Sequence, residues 1–223
     1  MKNFNLWLLI KKLIIFFLGV WIIQTGVAIF INTQIGSDPF TIFTQGISNI
    51  CGVSVGTGNI IITGTFFVII LITSMKSINI GTVLALISAG PFIDLMNWIL
   101  APLHFNNLNI VLKIILLCVS CVIIAIGFSM LKATDLGVAP NDLIPLIIQD
   151  KTKWQYRYIR ITMDITFVII GCLLVDDLWK TFGIGTLISA FLQGPTIQYF
   201  MPILDKITKS ILGISDKSQV SNN

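Results

Sequence analysis

Six apolar runs, each near the length of a bilayer's hydrocarbon core, constrain this chain more than anything else in it. They cover roughly residues 7–31, 57–75, 79–101, 109–131, 157–175 and 184–204. One crossing needs about 20 apolar residues at about 1.5 Å of rise each, so each run reads as a transmembrane helix. The runs are continuous rather than alternating, which argues against a transmembrane β-barrel. Mean hydropathy is +0.93 and only 11% of the 223 residues are charged, which leaves little chain for an extramembrane domain. The expected fold is an all-α polytopic membrane protein, a single membrane domain over residues 1–223, since only helices and closed barrels satisfy their backbone polar groups in lipid. The first run follows Lys11 and Lys12 and continues to Ile31 with no small-residue cleavage pattern, so it reads as a spanning helix and not a cleavable signal.

The cations sort by side. Lys2, Lys11 and Lys12 precede the first run, and Lys76 lies between the second and third. Lys132, Lys151, Lys153, Arg157 and Arg160 flank the fourth and fifth, and Lys206, Lys209 and Lys217 follow the sixth. That places twelve of the 14 cations on one side, with Lys113 and Lys180 on the other. The positive-inside rule then gives six crossings with both termini cytoplasmic. The net charge of +4 is explained by this distribution and does not point to nucleic acid.

The chain repeats itself. "GVAIFINTQIGSDPF" (26–40) aligns with "GFSMLKATDLGVAPN" (127–141), pairing Gly26, Thr33, Gly36 and Pro39 with Gly127, Thr134, Gly137 and Pro140. "NIGTVLALISAGPFI" (79–93) aligns with "GIGTLISAFLQGPTI" (183–197), pairing Gly81, Thr82, Gly90 and Pro91 with Gly185, Thr186, Gly194 and Pro195. Two ordered blocks in each half define repeat 1 over 6–104 and repeat 2 over 105–210, with a polar tail at 211–223. Three crossings per half is an odd number, so the second half inserts inverted, the arrangement found in many secondary transporters.

Gly-x-x-Pro after the first helix, Gly-x-Gly-Thr or its variant opening the third, and Gly-Pro within it, used twice, resemble the YczE/YyaS/YitT group of bacterial integral membrane proteins. The YczE-like branch is the nearest match. The blocks are "QIGSDPF", "NIGTVLALISAGPFIDL", "DLGVAPNDL", "YRYIRITMD" and "GIGTLISAFLQGP", and the likeness runs from about Phe16 to Pro202. Similar proteins tend to carry an aspartate two residues after the first Pro. Here that place holds Thr41, with Asp38 just before Pro39, while Asp142 occupies the matching place in the second half. The resemblance implies a multi-pass bacterial cytoplasmic membrane protein and brings no substrate.

Ten residues are candidates to meet a solute. Gly suits a helix C-terminus and Pro the first position of the next helix, so Pro91 and Pro195 are expected to break the third and sixth helices into half-membrane pieces. The alternative is a packing kink. "SDPFTIFTQGISNI" and "APNDLIPLIIQDKT" each start near a Pro and are too short to span, so they read as re-entrant or interfacial helices carrying Asp38 and Asp142. Asp94 falls one turn after Pro91, where a carboxylate can simply offset a helix dipole, and its repeat partner is Gln198. Arg157, Arg160 and Asp164 share one face of the fifth helix; the arginines double as cytoplasmic anchors, whereas a charge at the depth of Asp164 needs a partner. Gln193 completes the set, and Gln24 and Asn59 read as helix–helix hydrogen-bonding groups.

Cys118 and Cys121 form C-x-x-C in mid-run, with Cys51, Cys172 and a lone His104 elsewhere, so they read as packed small hydrophobes without a metal site or disulfide. No nucleophile–base constellation or phosphate loop is present, and no enzyme activity or cofactor is expected. The expected function is a secondary transporter or permease of a small anionic or zwitterionic solute. A channel of the same architecture, and a membrane-embedded accessory or regulatory protein acting through a partner, are the alternatives.

Overall fold

The long first helix ends where its repeat partner ends, and in the same backbone conformation. Helix α1 (Leu6–Thr33) is followed by Gln34 at φ 55° and Gly36 at φ 118°; helix α5 (Ile110–Ala133) is followed by Asp135 at φ 55° and Gly137 at φ 121°. Such positive φ near 120° is accessible almost only to glycine, which is why both motifs require it. Thr33 and Thr134 are fully buried beside these turns and donate to the carbonyls three residues back, Phe30 O at 2.9 Å and Leu131 O at 2.7 Å. The computed structural model that gives this geometry describes residues 6–175 and 181–213, without the side chains of Tyr156 and Arg157. The Arg157 side chain and most of the tail 211–223 thus lie outside what is described.

The other helices also match in pairs. Helices α2 (Pro39–Cys51) and α6 (Pro140–Thr152) are each 13 residues and each begin on the repeat proline. Helix α3 (Val55–Ser74) corresponds to α7 (Tyr156–Leu174). Helix α4 (Ile80–Leu100) corresponds to α8 (Ile184–Ile188), a π turn over Ser189–Gln193 and α9 (Gly194–Leu212). No strand occurs among the described residues.

Helices α1 and α5 form the centre. Their backbones meet where side chains are missing: Gly19 faces Gly127, and Gly26 faces Ser120 and Ile124. Ser120 Oγ donates to Gly26 O at 2.6 Å. Small residues at such crossings allow close packing where lipid gives no hydrophobic drive between helices. One apolar cluster joins Phe16 and Val20 of α1 to Ala85 and Ala89 of α4 and to Leu131; a second joins Phe30 to Leu117, Cys121 and Ile124 of α5.

Among the described residues four helical segments are long and apolar enough to cross a membrane: Leu6–Thr33, Val55–Ser77, Ile80–Leu103 and Ile110–Ala133. Six were expected. The shortfall is compositional, because the 19-residue α7 carries Arg157, Arg160 and Asp164, and the last segment is interrupted and ends in Asp205, Lys206 and Lys209. Large apolar side chains point outward over the whole length: Ile72, Trp98, Leu173 and Phe191 are each at least 75% exposed. An outer surface of that kind requires an apolar surrounding.

The expected breaks at Gly-Pro do not occur as such. Helix α4 runs unbroken through Gly90 and Pro91. A proline inside a helix forfeits one hydrogen bond and crowds the carbonyl four residues back, but the ladder on either side continues. Gly90 is buried against Gly56 and Ile60, and Pro91 is exposed. In the second half the helix widens into the π turn just before Gly194 and Pro195, both exposed. A π turn is a common way to absorb local strain of this kind without ending a helix.

Candidate functional site

Arg160 gathers carboxylates from two directions. Its Nη1 lies 2.9 Å from Asp142 Oδ1, and its Nε lies 3.2 Å from Asp164 Oδ1 and donates to Oδ2 at 3.3 Å. Asp164 is one turn further along α7. Asp142 is the third residue of α6, where the unpaired N–H groups of the first turn favour an anion. The three side chains are between 22% and 31% exposed, so the group is half-buried.

A third carboxylate arrives from the first half. Asp38 caps α2, accepting from Thr41 N at 3.1 Å through Oδ1, while its Oδ2 is buried with no hydrogen-bond partner. Asp38 interacts electrostatically with both Arg160 and Asp164. The packing of α2 on α7 explains the encounter. Gly46 lies against Gly171, Gly171 lies against Ile42 and Phe43, and the Phe43 and Phe167 rings stack at 5.4 Å with Phe40 and Phe66 around them. The two helices therefore run side by side in the same direction, which brings the start of α2 level with Arg160 and Asp164. Helix α6 packs on α3 and α7. Both short helices are held among long ones.

Four of the ten expected residues thus come together: Asp38, Asp142, Arg160 and Asp164. Asp94 does not join them. Its Oδ2 accepts from Ser54 Oγ at 2.5 Å and its Oδ1 from Gly56 N at 2.8 Å, so it caps the start of α3 and fastens α4 to it. Gln193 Oε1 accepts from Ser189 Oγ at 2.8 Å across the π turn. Gln198, Pro91 and Pro195 are exposed on the outer surface. Sequence reasoning ranked Asn59 low, yet it is 7% exposed with an unpartnered Oδ1, and it stands at the repeat position of Arg160. Extending the offset of the first repeat block through α3 would have marked it.

A family model described as "Family of unknown function (DUF6198)" matches residues 10–202. The chain belongs to that family. The uncharacterized protein YyaS of Bacillus subtilis (strain 168) is 28% identical over 191 residues, 85% of this chain and 92% of that one. The uncharacterized membrane protein YczE of the same organism is 26% identical over 195 residues, 87% of each chain. An uncharacterized protein of Haemophilus influenzae is 22% identical over 197 residues, 88% of this chain and 86% of its own. The expected YczE/YyaS grouping therefore holds. No solved structure matches.

Proposed function

We propose that this DUF6198 member is a multi-pass protein of the bacterial cytoplasmic membrane and a secondary transporter of a small charged solute. Its two halves are inverted repeats, it crosses six times, and both termini are cytoplasmic. The observation that carries the reading is the meeting of Asp38 from the first half with Asp142, Arg160 and Asp164 from the second. Charges within membrane helices are costly and tend to mark solute paths, and transporter sites form where repeats adjoin. Among the described residues three carboxylates face one guanidinium. Charges of both signs gathered in one place suit a zwitterion, one of the two expected classes.

The topology is supported by which connections touch. Lys151 Nζ donates to Thr73 O at 3.2 Å and Gly81 N to Leu136 O at 2.8 Å, grouping the ends of α3, α5 and α6 with the start of α4. Gly185 N donates to Ile35 O at 2.8 Å and Ser37 N to Thr181 O at 3.0 Å, grouping the end of α1 with the start of α8. The cationic loops fall in the first group.

The test is a thermal-shift screen of purified protein against amino acids, amines, betaines and organic anions, repeated on Asp38→Asn. A solute that binds only the folded protein at 100 times its Kd adds about 2.7 kcal/mol of stability. Zwitterions should raise Tm in the wild type and lose the effect in the variant, and the same solutes should enter proteoliposomes. A screen with no shift, together with a reproducible protein partner, would instead establish the accessory reading.

A further inference from the structure

The two positive-φ turns do more than end helices. Each docks on the start of a helix from the other half. At the Lys76 end, Leu136 O accepts from Gly81 N of α4 at 2.8 Å; at the Gly36 end, Ile35 O accepts from Gly185 N of α8 at 2.8 Å. Both donors are second residues of their helices, so neither has a partner within its own helix. A Cβ added at Gly137 would stand 2.9 Å from Asn79 Cβ, and one at Gly36 would stand 2.8 Å from Thr186 N. The two locks are therefore the same device used twice, at opposite ends of the molecule.

They are not equally bonded. The Gly36 end has a second backbone bond between halves, Ser37 N to Thr181 O at 3.0 Å, and Gly183 N donates to Thr186 Oγ1 at 3.3 Å. The Lys76 end has instead an exposed side-chain bond between halves, Lys151 Nζ to Thr73 O at 3.2 Å, and a bond within its own turn, Leu136 N to Thr134 Oγ1 at 3.3 Å. At the Lys76 end no bond joins Val138 N to Ser77 O among the described residues, and Thr82, fully buried, has an Oγ1 with no partner. A buried hydroxyl without a partner opposes closure.

We infer that these turn–helix locks are the two gates of the molecule, and that the gate at the Lys76 end opens first. It rests on the transport reading only for the purpose of opening; the order of opening stands on the bonding alone. A lock with one backbone bond fewer between the halves and an orphaned buried hydroxyl spends more of its time open, and alternating access needs one end to yield before the other.

Amide exchange in lipid nanodiscs tests this without any solute. Gly81 and Gly185 each lie in an Ile-Gly-Thr sequence, so their chemical exchange rates match and the difference reports opening. Gly81 should exchange roughly tenfold faster, the size of one net hydrogen bond. Thr82→Val, which replaces the orphaned hydroxyl with a methyl, should slow Gly81 and leave Gly185 alone. Gly137→Ala should speed Gly81 only, and Gly36→Ala should speed Gly185 only. Equal wild-type rates, a faster Gly185, or a Thr82→Val variant that speeds Gly81 would overturn the inference. Thr82→Val keeps the test decisive if an alanine variant fails to fold. A solute screen without hits would remove the transport reading and leave the measured order of opening untouched.

Discussion

Arg160 and Asp94 looked alike as polar intrusions in apolar runs, and they separate once their partners are known. Arg160 satisfies carboxylates on two helices, so Arg160→Ala leaves Asp142 and Asp164 facing each other half-buried. A loss of about 2 kcal/mol is expected, below the full cost of breaking a buried pair because the group retains some exposure. Arg160→Lys should recover only part of it, since an ammonium cannot present two divergent donors in a fixed fork. Denaturation in detergent reads both; equal stability of Arg160→Ala and wild type would show the ion group to be slack. Asp94→Ala removes a cap from α3 and should cost about 1–2 kcal/mol. Solute affinity, by contrast, should not change. A variant of normal stability and lost affinity would return Asp94 to the solute path.

The Gly-Pro pair of α4 divides its work between two faces of one helix. Gly90 lets α4 approach Gly56, so Gly90→Ala should force the helices apart and cost about 1–3 kcal/mol. Pro91 is exposed in an otherwise unbroken helix, so Pro91→Ala restores a backbone donor and should raise stability by up to about 3 kcal/mol. Circular dichroism melts of the two variants should move in opposite directions. A Pro91→Ala protein that is less stable than wild type would mean that the kink itself is needed for packing. The second half gives its Gly194 no such neighbour, as nothing lies within 4 Å of a Cβ added there. The repeat thus preserves the motif while its packing role differs between the halves.

For the whole molecule the expected outcome is topological. A reporter fused after Asn107 should be external, and one fused after Leu212 cytoplasmic. Identical compartments would rule out the inverted arrangement, and with it the shared origin of the paired turns. The swap of contacts across the centre is what two such halves produce: Gly19 meets Gly127 while Ser120 meets Gly26, and one contact is the other with its halves exchanged.

Much was legible in the sequence alone, because bilayer length, side-chain transfer energy and glycine's conformational range act on local sequence. The helical class, the two repeat blocks, the glycines at Gly36 and Gly137 and the short Pro-started helices all follow from such local rules. Pairing across the fold did not. Nothing local distinguishes Asp94, which caps a neighbouring helix, from Asp38, which reaches the Arg160 group only because α2 lies along α7 from the other half. Nor does the pair Gly90–Pro91 announce whether a helix will break, since that depends on whether a neighbour such as Gly56 leaves room for the backbone to continue. Those outcomes are set by contacts between residues far apart in the chain, and only the tertiary structure brings such residues together.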